Sequence, residues 1–303
     1  MVRLVVKRGD LSYFIVEVSV GIAIDDLLNL VCEIFNGYLK IGRLCSEIAE
    51  LSEHGVSLPP NMQAGSGILT ELSVLKGLND DQITELKLKD EWGEKCLPSG
   101  GYIERKDELG RRNGKAPTEK MKDVLIRTID EAKKLISRDL VKMDKLMDKA
   151  TVREALMMLS GAVTIVYPMG LPPYDPIKQE LDNEEDISGT QASQEVIPVE
   201  NATIWFSGKE MLRGKVLSDY VGRNEKTKIV AKLSKRGAGA PAREPVIDEE
   251  QQKAMMAYYY RKQEEWKKLE ANDEDCYLDS AWSEPNQLKR QFHGLENIKW
   301  GPR

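Results

Sequence analysis

VRLVVK (residues 2–7), YFIVEV (13–18) and IDDLLNLVCEIF (24–35) decide how this chain begins to fold. In the first two segments, Val2, Leu4, Val6 and Phe14, Val16, Val18 alternate, so each segment presents one apolar face, as a half-buried strand requires. Arg8-Gly9-Asp10 between them supplies the residues of a tight turn, and the pair is expected to form a hairpin. In the third segment the period changes. Ile24, Leu27, Leu28, Val31 and Phe35 recur at helical spacing, and Asp25 and Asp26 lie in the first turn, where carboxylates favour the helix dipole.

Strand, strand, helix resembles the opening of a ubiquitin-type β-grasp fold, in which the helix crosses a sheet whose next strand runs parallel to the first. A second helix is expected over Ile41, Leu44, Ile48 and Leu51, stopped by Gly55 and Pro59-Pro60. Another is expected from Pro117 to Ile136, with Met121, Val124, Leu125, Ile129, Ala132 and Leu135 on one face. Thr151 and Glu154 read as a capping box for a helix ending at Gly161. The run Ala162 to Tyr167, bounded by Gly161 and Pro168, is apolar and β-branched, so it is expected as a buried strand beside the hairpin.

The expected class is therefore α+β: a β-grasp-like hairpin and helix with an added strand and a helical layer, followed by a charged, mostly helical and irregular C-terminal region. One globular domain is expected over residues 1–177. Residues 178–200, rich in Asp and Glu, read as an acidic linker. Residues 201–303 read as a basic segment up to 243, a long charged helix over 248–271 and an irregular tail, with no core of their own.

Composition narrows the function classes. Charged residues are 31% and aromatics 6%, a balance suited to long solvated helices, and the net charge of -6 opposes generic affinity for nucleic acid or anionic lipid. Cys32, Cys45, Cys96 and Cys276 show no metal or disulfide spacing, which fits a reducing compartment. The apolar run at the start is too short for a signal peptide, and no segment approaches the ~18 apolar residues of a membrane span.

Catalytic patterns are missing. The two histidines, His54 and His293, carry no metal-ligand spacing, and there is no serine elbow. Gly237-Ala238-Gly239-Ala240-Pro241-Ala242 has the letters of a dinucleotide loop, but Pro241 and Pro245 oppose the helix that a pyrophosphate would need. The basic run over 201–243 has few stacking aromatics and acidic flanks, so a solvated surface or an acidic protein partner is preferred over nucleic acid. No enzyme and no cofactor are expected.

Several runs carry a resemblance: RLCSEIAELSEHGVSLPPNM from Arg43, LKLKDEWGEKCLPSGG from Leu86, GRRNGKAPTEKMK from Gly110, GAVTIVYPMGLPPYDPI from Gly161, LSDYVGRNEKTKI from Leu217, GAPAREP from Gly239 and FHGLENIKW from Phe292. In this order they closely resemble the Kurly family of cilia- and flagella-associated proteins. The resemblance implies a cytoplasmic protein, also at the ciliary base or basal body, needed for outer dynein arm assembly and motile cilia and linked to planar cell polarity. It implies as partners other dynein-arm assembly factors, including a MYND zinc-finger protein, and no active site. The alternative is a structural component of the cilium. One departure from the family pattern is Ala64 to Lys76, inserted between Gln63 and Gly77 and expected to loop out.

Partner contacts are expected on residues 201–303, where Tyr220, Trp266, Trp282 and Trp300 are isolated aromatics of the kind that anchor interfaces, with Lys226 and Lys228 as charged neighbours.

Overall fold

The computed structural model describes residues 1–60, 62–63, 90–242 and 249–271. The inserted segment from Ala64 to Lys76 lies outside them, as do Trp282 and Trp300. The chain divides into two compact units, Met1–Arg243 and Glu244–Arg303.

The first unit opens as its alternation requires. Strands β1 (Val2–Arg8) and β2 (Leu11–Val18) pair antiparallel, with Val2, Leu4 and Val6 opposite Val18, Val16 and Phe14, so both apolar rows fall on one face. All six side chains are buried. Gly9, at φ 61°, takes the backbone conformation that closes so short a turn.

Next comes helix α1 (Ile24–His54), 31 residues long. The two helices expected here are one, continuous through Asn36-Gly37-Tyr38, and tertiary contacts explain why. The amide of Asn36 donates to Ile197 O at 2.9 Å and accepts from Ile197 N at 3.1 Å. A Cβ on Gly37 would lie 2.5 Å from Val152 Cγ1, so the glycine, a weak helix former, sits where another helix comes closest. Buried residues occur on more than one side of α1, from Leu28 and Val31 to Ile34, Ile41 and Ile48, as expected of a helix enclosed between layers.

A small ribbon, β3 (Tyr102–Glu104) with β4 (Lys115–Pro117), precedes helices α2 (Glu119–Leu135) and α3 (Lys149–Val166). Both helices pack on α1 and on each other. Here the sequence expectation is corrected: Ala162–Val166 is the last turn and a half of α3, not a strand. Val152, Ala155, Leu159, Ala162, Val163 and Val166 are its buried positions, and this 3.6-residue rhythm continues through Gly161. The β-branched run yields to that packing. The helix begins after Asp148, so Thr151 and Glu154 are interior residues and not a cap.

The strand beside β1 comes from much later in the chain. After β5 (Ala202–Phe206) and the short β6 (Lys209–Glu210), β7 (Lys228–Lys235) pairs parallel to β1 and antiparallel to β5. The sheet order is β2-β1-β7-β5-β6. This is the parallel neighbour that a β-grasp requires, supplied by the basic segment. Ile229, Ala231 and Leu233 of β7 and Ala202 and Ile204 of β5 join the same core as the hairpin and α1. The boundary expected at 177 is therefore displaced to Arg243.

Residues 178–200 also belong to the fold. Short helices at Pro176–Asp182 and Gln191–Glu195 bring Ile177 and Ile197 fully into the core. Arg43 Nε donates to Glu180 Oε1 at 2.6 Å, and its Nη2 to Glu185 Oε1 at 3.3 Å, so acidic residues that suggested a linker meet a cation on α1. Burial raises the pKa of Glu180, and Arg43 opposes that shift.

In the second unit, α4 (Glu249–Ala271) is a helix of 23 residues.

Candidate interaction surfaces

Each of the four described candidates has a definite place. Tyr220 lies within the short helix turn Ser218–Val221, packs partly buried against the core, and its hydroxyl accepts from Leu212 N at 2.8 Å. Lys215 Nζ sits over its ring, 5.8 Å from the centroid. This is a tethered ring. Lys226 is exposed in the turn that leads into β7, and its backbone N–H donates to Asn224 Oδ1 at 3.1 Å.

Lys228 begins β7 directly opposite Arg3 of β1. The two cations converge on one carboxylate: Lys228 Nζ is 2.5 Å from Asp144 Oδ1, and Arg3 Nη1 is 2.6 Å from Asp144 Oδ2. The hydrogen bond from Lys228 and the charges of both cations hold the Asp144 pKa below its ordinary value. The charge of Lys228 is thus already matched within the unit.

Trp266 differs. It is 60% exposed on α4 with Lys262 Nζ 5.6 Å from its ring centroid. Met255, Tyr259, Lys262 and Trp266 are spaced as one face of a helix, and Met256, Tyr258 and Tyr260 are more than half exposed beside them. Every residue from Glu250 to Lys268 is solvent-exposed. Methionine and aromatic side chains of this kind supply adaptable apolar contact area.

A second surface was hidden by the strand expectation. Met157, Gly161 and Ile165 follow one another at four-residue spacing along the outer side of α3, and Met169 follows the helix end. Met157 is 74% exposed, Ile165 62% and Met169 72%. From Ala155 to Tyr174 the chain carries no charged residue, although much of it meets solvent. A Cβ on Gly161 would meet nothing within 4 Å, so this glycine serves no close contact inside the unit. The sequence signal was present. An uncharged run suggests burial, but here the helical period leaves one side of it outside.

The polar interior serves packing. Arg112, with 2% of its side chain exposed, reaches Glu47 Oε2 at 2.8 Å, Gly55 O at 2.9 Å and Asp175 Oδ2 at 3.9 Å. Asp175 accepts from Ser57 N and Ile177 N, both at 3.0 Å. Among the described residues no group of three His, Cys, Asp or Glu side chains is placed to hold a metal ion, and no helix is long and apolar enough to cross a membrane. Cys32, Cys45 and Cys96 are free and buried, and desolvation raises the pKa of each thiol, that of Cys32 to about 11.

Fold and surfaces together define an α+β protein with a mixed sheet, a helical layer and exposed apolar helix faces. Comparison with known proteins gives the family. A family model described as cilia- and flagella-associated protein 298 matches residues 202–298. The chain is 58% identical over 303 residues to cilia- and flagella-associated protein 298 of Danio rerio and 56% identical to that of Homo sapiens, covering 100% of both chains in each case. The Drosophila melanogaster protein of the same description is 50% identical over 300 residues, 99% of each chain. No solved structure matches. The chain belongs to the cilia- and flagella-associated protein 298 family and is a cilium- and flagellum-associated protein.

Proposed function

We propose that this protein is a non-enzymatic factor that works through protein contacts in the cytoplasm and at the ciliary base to assemble outer dynein arms and so support motile cilia. Other assembly factors, a MYND zinc-finger protein among them, are its partners, and a role in planar cell polarity accompanies this work. The observation that carries the protein-contact part is the uncharged ridge Met157-Gly161-Ile165, exposed on a helix whose opposite side is fixed in the core. Exposed apolar area on a well-packed helix marks a contact surface. Trp266 and its neighbours on α4 supply a second one. Family membership supports the ciliary part.

The test is replacement of the natural chain in ciliating cells by the Met157→Glu, Ile165→Glu double variant. Both positions face solvent, so the protein should fold and accumulate normally. Cilia should form but beat poorly, with outer dynein arms missing and capture of the MYND protein lost. Normal beating with intact arms would overturn the role of the ridge. Fractionation separates the alternative of a structural part: an assembly factor is recovered from soluble cytoplasm, a structural component from isolated axonemes.

A further inference from the structure

A cleft of about 900 Å³ opens between α1, the end of α2, the turn Ser137–Lys142 and the tip of the β1–β2 hairpin. Its floor is apolar, formed by Tyr38 and Leu39 of α1 and Ile136 after α2. One wall is cationic, with Lys133, Arg138 and Lys142.

These charges are not equally available. Arg43, which also lines the cleft, is held by Glu180 and Glu185, and Lys142 Nζ lies 3.8 Å from Asp139. Lys133 and Arg138 have no carboxylate partner among the described residues; Arg138 instead lies over the Tyr13 ring, 5.9 Å from its centroid. Asp10, on the hairpin tip, and Glu195, whose carbonyl accepts from Arg8 at that same end, also line the cleft and limit how much negative charge can enter there, so the cationic side is the one formed by Lys133 and Arg138. Two unmatched cations above an apolar floor are complementary to an extended segment that carries carboxylates beside an apolar side chain.

We propose that this cleft binds an acidic peptide segment of a partner protein, with an apolar anchor residue on Tyr38, Leu39 and Ile136 and carboxylates on Lys133 and Arg138. The proposal rests on the reading of the chain as a protein-contact factor and names the chemistry of one of its partners. Nucleic acid fits less well. The chain carries a net charge of -6, and phosphate contact has no use for the apolar floor.

Gly42 provides a way to block the cleft without harming the fold. It lies on the cleft side of α1, and a Cβ there would meet nothing within 4 Å. Phenylalanine also favours a helix more than glycine does, so Gly42→Phe should fill the cleft and leave α1 intact.

The experiment is fluorescence anisotropy on the purified full chain with an array of short labelled peptides. Each has a Leu or Phe anchor flanked by Glu, and each is matched by a copy flanked by Lys. Glu-flanked peptides should bind and their Lys-flanked copies should not. Lys133→Glu with Arg138→Glu should weaken binding about tenfold or more, and so should Gly42→Phe. Met157→Glu with Ile165→Glu should leave it unchanged, so the cleft and the α3 ridge are judged separately from each other and from any ciliary phenotype. Circular dichroism checks that each variant is folded. Equal binding of Glu- and Lys-flanked peptides, absence of binding throughout the array, full binding by folded Gly42→Phe, or displacement of the peptide by a single-stranded oligonucleotide would each overturn the proposal.

Discussion

Arg112 and Glu47, 65 residues apart, are joined inside the first unit: Arg112 Nη2 donates to Glu47 Oε2 at 2.8 Å and to the Glu47 carbonyl at 3.2 Å. The same guanidinium closes on Gly55 O at 2.9 Å, so one side chain satisfies the end of α1 and ties it to the loop before β4. Burial raises the Glu47 pKa above its ordinary value, and the charge and hydrogen bond of Arg112 oppose that rise.

Removing that cation should therefore be costly. Arg112→Ala leaves Asp175 and Glu47 without their partner, and breaking a buried pair costs about 3–5 kcal/mol. Arg112→Lys keeps the charge but loses the planar fork and should cost less, about 1–3 kcal/mol. Urea unfolding followed by circular dichroism measures both, and a change under 1 kcal/mol for the alanine variant would contradict the buried role.

Asp107 sets the loop that delivers Arg112. Its desolvation raises the pKa, but the backbone N–H groups of Leu109, Arg111 and Arg112, at 2.9, 2.7 and 3.0 Å, more than offset this, and the net shift is downward. A depressed carboxylate stabilises the fold above its unfolded pKa, and that contribution disappears as pH falls through the folded value. Asp107→Asn should thus be less stable than the natural chain at neutral pH, by about 1 kcal/mol for each weakened hydrogen bond. The difference should shrink as pH falls below about 4. Thermal unfolding at a series of pH values tests this; a gap that widens in acid would reverse the assigned sign.

At the crossing of α1 and α3, Gly37→Ala sets a methyl against Val152 Cγ1, whose branched side chain has little rotamer freedom. Alanine favours the helix by about 1 kcal/mol, but overpacking a well-filled contact costs about 1–3 kcal/mol, so the variant should be neutral to destabilised. Val152→Ala in the same chain should relieve it. A double-mutant cycle on unfolding free energies should show a favourable coupling of 0.5 kcal/mol or more, on the order seen for residues in contact; simple additivity would mean the helices do not meet there.

Tyr220→Phe removes the acceptor of Leu212 N–H and should cost about 1 kcal/mol of stability. Capture of partners should stay the same, because the ring is packed inward against the core. Trp266→Ala, by contrast, should leave stability within about 0.5 kcal/mol and reduce capture, since the ring is exposed on α4. Pull-downs with the two variants in parallel decide which aromatic serves contacts.

Local periodicity determined much of this protein. The alternation of Val2, Leu4, Val6 against Phe14, Val16, Val18 fixed the hairpin and its buried face, because a strand's side chains must alternate whatever lies around it. The spacing of Ile24 to Phe35 likewise determined the start of α1 and the α+β class. Long runs of shared sequence carried the family.

Tertiary contacts decided the rest. Ala162–Val166 has the composition of a strand, and only the continuing burial rhythm from Val152, set by packing on α1 and α2, makes it helix. The spacing of Ile24 to Phe35 and of Ile41 to Leu51 reads as two helices, and only the approach of Val152, 2.5 Å from where a Cβ on Gly37 would be, shows why a glycine lies inside a single one. The strand beside β1 is more than 200 residues away, and nothing local in Lys228–Lys235 states that it pairs with Arg3–Lys7. Periodicity determines which face of an element is apolar; which element covers that face depends on distant parts of the chain that meet only in the folded protein.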